Sequence, residues 1–176
     1  MSYPAEYIDY LVEFHGSRDY FECHEILEEY WKEVSPGERD SHWVGFIQLA
    51  VALYHQRRGN FNGAAKTIKK AKEILSKKED VITELGMNPH ELLDIISSIE
   101  RHIHNQTPYQ SITLPLTDTE LIKACQTSCK NSGFFWCMPS NLNNAELIHR
   151  HTLRDRTEVI QERNRQLRLR REKPQT

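Results

Sequence analysis

His24 and Glu28 are the residues of this chain whose type and spacing most directly suggest chemistry. Four residues apart on a helix, an imidazole and a carboxylate project from the same face and can hold one ion or one proton between them. His55 is a third candidate ligand, so the predicted metal set is His24, Glu28 and His55. Gln48 and Trp31 are supporting polar groups, and Glu25 is available as a base if that helix end is wet. The run His-Glu-x-x-Glu lacks the second histidine of a helix-borne metalloprotease site. The helix that carries His24 also has no Glu-x-x-His pair of the di-iron bundle kind. Three protein ligands would leave coordination positions open, which fits a weakly held or catalytic divalent cation of unstated identity, with hydrolysis as the reaction class. The competing reading is structural. In it His24 is oriented by Glu28 or Gln48, Trp31 donates its indole N–H to a nearby acceptor, and the network rigidifies helix packing without a ligand.

These residues sit on a predicted amphipathic helix from Asp19, its cap, to about Val34, where Ser35-Pro36-Gly37 breaks it. Tyr20, Phe21, Leu27 and Trp31 form its apolar stripe. His24 falls in the middle of that stripe and Glu28 inside it, so both are expected to be buried and partnered. A helix starting at Asp40 or Ser41 is apolar nearly all round (Trp43, Val44, Phe46, Ile47, Leu49, Ala50, Val51, Leu53, Tyr54) and should be central. Gln48 and His55, both near Ala52, make a small polar strip on it, the natural surface to meet His24 and Glu28.

Around this pair the periodicity predicts a first helix from Tyr3 to His15 and a fourth with a small-residue face (Ala64, Ala65, Ala71). Lys66, Lys69, Lys70 and Lys72 on the fourth read as a solvated face, because no aromatic residues interleave for base stacking. Asn88-Pro89 caps a fifth. Asn105 to Leu116 should be extended over the bundle, and Thr117-x-x-Glu120 is a capping box for a helix through Cys129. Phe134, Phe135 and Trp136 lie in a loop expected to tuck against the body. Asn143 or Asn144 can cap a last helix reaching Arg171. The predicted fold is all-α: a compact helical bundle over 1–106, a covering segment and short helix over 107–149, and a basic helical tail over 150–176.

Composition bounds the rest. Charged residues are 27% and apolar residues 38% of the 176, as in a globular protein, and no apolar run approaches the ~20 residues of a membrane span. The four cysteines form no CxxC pair, and no secretion signal is read, so free thiols in a reducing cytoplasm are expected. A zinc site from Cys125, Cys129, Cys137 and His149 lacks the usual short-loop spacing. Residues 150–173 carry nine Lys and Arg against four acids, a net +5, which leaves −7 on the remainder of a chain of net −2. That basic tail implies a protein or anionic partner, or docking on the acidic body.

His24-x-x-x-Glu28-x-x-Trp31 resembles the His-x-x-x-Glu-x-x-Trp/Tyr signature of the domain-of-unknown-function 309 family. The stretches 45–55 (Gly-Phe-Ile-Gln-Leu-Ala-x-Ala-Leu-Tyr-His) and 59–64 (Gly-Asn-x-x-Gly-Ala) resemble that family's second and third blocks. Gly59-Asn60-Phe61-x-x-Ala64 is also similar to a tetratricopeptide turn, but no second copy follows at the ~34-residue period. The family resemblance covers about Tyr20 to Leu75. It implies a small all-α fold and a metal-binding role for the signature, and supplies no reaction. Two function classes result: a metal-binding, hydrolytic protein, or a non-catalytic interaction or nucleic-acid-associated module in which the His/Glu cluster is structural.

Overall fold

The computed structural model describes residues 2–153 together with Arg165 and Arg168. The described residues are all-α, with no strand and one isolated antiparallel bridge between Met87 and Leu116. The helices are α1 (Ala5–His15), α2 (Tyr20–Val34), α3 (His42–Arg57), α4 (Phe61–Leu75), α5 (Glu79–Glu84), α6 (Pro89–His104), α7 (Thr119–Asn131), α8 (Ala145–Ile148) and α9 (Arg150–Leu153). Side-chain caps set most of the starts. Asp19 accepts from the Glu22 N–H, Ser41 from Trp43, Asn60 from Gly63, and Asn88 from His90 and Glu91 with Pro89 behind it.

The apolar α3 is central, packed between α2 and α4, with α1 against α2 and α7, and α6 against α4. Its Trp43, Phe46, Leu49, Ala50 and Leu53 are buried, as a helix without a polar face requires. Gly45 lets α4 approach, since a Cβ there would lie 2.7 Å from Cγ and Cδ2 of the buried Leu75. Gly45→Ala should therefore lower stability by about 1 kcal/mol net, overpacking outweighing the gain in helix propensity. Urea denaturation of wild type and variant measures it, and a stabilised variant would show that the α3–α4 contact yields freely.

Tyrosine hydroxyls tie the layers. Tyr10 donates to the Phe46 carbonyl (2.9 Å) and Tyr7 to that of Leu85 (2.8 Å). The extended segment after α6 lies over the bundle as expected, burying Tyr109 and Leu114.

Four expectations need correction. The short α5 was not predicted, because it is charged, buries only Ile82 and has no side-chain cap. At α7 the cap is Asp118, which accepts from the Glu120 N–H at 2.9 Å, while the Thr117 N–H is taken by the Gly86 carbonyl. The aromatic loop divides, with Phe134 and Trp136 packed on the core but Phe135 77% exposed. The last helix is interrupted at His149, between α8, capped by Asn144, and α9. Of the predicted basic tail, the residues after Leu153 other than Arg165 and Arg168 lie outside the described residues, and with them the continuation to Arg171.

Candidate functional site

Helix α2 places His24 and Glu28 as its spacing demands. His24 Nε2 lies 2.6 Å from Glu28 Oε2, and Lys32 Nζ lies 2.8 Å from Glu28 Oε1, so three charged or polar groups stand in an i, i+4, i+8 ladder. The expected burial is corrected here: the side chains are 27% and 32% exposed. The buried stripe of α2 is Tyr20, Cys23 and Leu27. Cys23 draws its centre away from His24, and Glu28 sits further round still, at the stripe's edge.

That edge opens on a groove of about 440 Å³ between α2, α3 and α4, where His24 and Glu28 are joined by Trp31, Gln48, Arg39 and Lys70. A second cavity of about 160 Å³ lies on the other side of His24 and is lined by Phe21, Tyr54, His55 and His151. His24 and Val51 border both. The structure thus brings His24, Glu28, Gln48 and Trp31 to one groove and puts His55 on the neighbouring cavity. Glu25 lines neither. Trp31 donates its indole N–H to the Glu38 carbonyl at 2.9 Å, which ties the α2–α3 loop to α2 next to Arg39.

Glu28 is firmly ionised. The His24 hydrogen bond, above all, and Lys32 outweigh partial burial and hold its pKa at about 2. With Nε2 facing the carboxylate, that nitrogen carries the proton of their hydrogen bond. Among the described residues Nδ1 makes no hydrogen bond. His55 presents Nδ1 to the Asn60 amide at 3.3 Å, so Nδ1 accepts and Nε2 carries the hydrogen. Burial, and then Arg58, lower the His55 pKa, so it stays neutral. His151 is committed on both sides: Arg58, a donor only, reaches Nε2 at 2.8 Å, and Nδ1 bonds Tyr54 Oη. Among the described residues no group of three or more His, Cys, Asp and Glu converges as a metal site would need. The four cysteines are free thiols.

A profile for the domain of unknown function (DUF309) matches residues 7–67. A relative from Bacillus subtilis (strain 168), described as "Uncharacterized protein YpuF", is 50% identical over 165 residues, covering 94% of this chain and 95% of its own length. The chain belongs to the DUF309 family. No solved structure matches it. The DUF309 match spans α1 to the first half of α4 and contains His24, Glu28, Trp31, Gln48 and His55. Three groups at these cavities escaped the sequence reading. His151 meets Tyr54 across 97 residues of sequence, Lys70 reads as part of a solvated lysine face, and Arg39 lies in the α2–α3 loop with no pattern to mark it.

Proposed function

We propose that the protein binds a small ligand at the His24–Glu28 pair, in the groove between α2, α3 and α4. One observation carries this reading: a tightly hydrogen-bonded imidazole–carboxylate pair stands half-exposed where two cavities meet. A purely structural pair gains nothing from that exposure, since its hydrogen bond competes with water. The carboxylate takes Nε2 and orients the ring, leaving Nδ1 without a hydrogen bond among the described residues, the arrangement used for proton transfer or ligation. The test is a thermal-shift screen of small metabolites on wild type and His24→Ala. At least one compound should raise the melting temperature of wild type and leave the variant unmoved. A screen whose hits act equally on both proteins ends the proposal.

A second reading, favoured by a carboxylate and an imidazole 2.6 Å apart on the wall of the groove, is that the ligand is a divalent cation. His24 Nδ1 or Nε2, Glu28 and, after side-chain rotation, His55 would hold it, and the ion would activate a water for hydrolysis. Glu28→Gln separates the readings. With a metal, chelator should lower the melting temperature of wild type and not of the variant. Without one, the variant should lose about 1–3 kcal/mol whether or not chelator is present, because a charged hydrogen bond has become neutral. Metal analysis of protein purified without a polyhistidine tag completes the comparison.

A further inference from the structure

We infer that the ligand of this groove is an amphiphilic organic anion, its oxyanion held between Arg39 and Lys70 and its apolar body laid along Trp31, Val44 and Ile47. This rests on the reading of the groove as a ligand site and names the ligand's chemical class.

The charge inventory carries it. Arg39, Lys70, His24 and a single carboxylate, Glu28, line the groove. That carboxylate is already engaged on both oxygens, by His24 and Lys32, so it neutralises neither Arg39 nor Lys70. Among the described residues Arg39 and Lys70 make no ion pair or hydrogen bond. Two uncompensated cations therefore face one cavity on a body that is otherwise net acidic, and their summed field favours an anion there.

Position and shape support the same class. The Trp31–Glu38 hydrogen bond anchors the loop residue adjacent to Arg39, so the guanidinium approaches the groove from a tethered backbone. Gln48, half-buried in the α3 wall, has no hydrogen-bond partner among the described residues and can donate to an oxyanion. Thr67 has its hydroxyl hydrogen committed to the Gly63 and Ala64 carbonyls, which leaves Gln48 as the neutral donor of that wall. The remaining lining is Trp31, Val44, Ile47 and Val51, and about 440 Å³ suits a small organic molecule better than a bare inorganic ion. Two cationic side chains on the rim also oppose a divalent cation, which is why the metal reading ranks second.

Anilinonaphthalene sulfonate and its neutral parent, phenylnaphthylamine, share an apolar body and differ by the anionic group. Fluorescence titration of the full chain at low salt should show one site that takes the sulfonate about tenfold more tightly than the neutral amine. Arg39→Gln and Lys70→Gln should each weaken the sulfonate by roughly threefold, about the effect of one lost exposed charge contact, and leave the neutral probe unchanged. Val51→Trp, which fills the groove, should weaken both probes, and Phe135→Ser, at an exposed apolar site elsewhere, neither. Circular dichroism verifies that each variant is folded. Equal affinity for the two probes, or sulfonate binding indifferent to Arg39 and Lys70, overturns the anionic class while leaving groove binding standing. Binding of neither probe, or loss confined to Phe135→Ser, overturns the groove as a site for such molecules.

Discussion

Arg18→Ala should destabilise the fold by about 3–5 kcal/mol. Arg18 is 2% exposed at the corner between α1 and α2. Its Nε donates to the Met138 carbonyl at 2.8 Å and its Nη1 to that of Ile112, so one guanidinium fastens that corner to both the extended segment and the aromatic loop. Each hydrogen bond from a charged donor contributes about 1.5–3 kcal/mol, and truncation would leave two carbonyls bare. The Arg18 backbone is engaged too, its carbonyl accepting from Arg57 Nη1 at 2.6 Å. Arg57 in turn stacks over Tyr20 and Tyr109, with its guanidinium carbon 4.7 Å and 5.6 Å from the ring centroids. Residue 18 also holds φ at +59°, where a side chain costs roughly 1–2 kcal/mol. Arg18→Gly should thus be about 1 kcal/mol more stable than Arg18→Ala while still well below wild type. Urea denaturation of the three proteins measures both differences. An alanine variant within 1 kcal/mol of wild type would show that the guanidinium is not the fastener.

What could be read in advance was local. Helix α3 announces itself because no face of it is polar, and Asp19, Ser41, Asn60 and Asn88 each cap through the next few N–H groups of their own chain. The His24–Glu28 pair is equally local, four residues on one face. Its burial was misjudged because Tyr20 and Trp31 were weighted and Cys23 was not, although a free thiol packs as a small apolar group. The residues that hold the layers together were invisible for the opposite reason. Arg18 reaches partners 94 and 120 positions away, and a lone arginine between a helix stop and a cap reads as solvent-facing. Lys70 has the same character: its sequence neighbours are exposed lysines, and only the packing of α4 on α3, across the groove from α2, turns it towards that groove.

Acid should weaken the protein well before its carboxylates titrate, and His15 is the main reason. Its ring is wholly buried at the end of α1. The Leu114 N–H donates to Nε2 at 3.0 Å, so Nε2 accepts, and Nδ1 carries the hydrogen that goes to the Leu11 carbonyl at 2.7 Å. Trp136 stacks on the ring with centroids 4.5 Å apart. Protonation would put a second N–H against the Leu114 N–H in a site closed to bulk solvent. Burial foremost, with Arg18 nearby, lowers the pKa to about 4 against the Leu11 bond that favours the cation. The unfolded chain, with a histidine near ~6.5, therefore binds a proton that the folded chain refuses between those values. Stability is fully present above pH 6.5 and falls as the pH drops towards 4, by about 3 kcal/mol from this residue. His42, lowered to about 4 by burial and Lys78, adds a loss over the same interval. Glu28 acts below it: its depressed pKa stabilises the fold above about 4.5, and that contribution is lost as the pH falls towards 2. His15→Gln keeps an acceptor for the Leu114 N–H and does not titrate. Urea denaturation from pH 4 to 8 should show a steep loss of stability below pH 6.5 in wild type and a shallower one in the variant, where the His42 contribution remains. The same slope in both proteins would move the proton uptake away from His15.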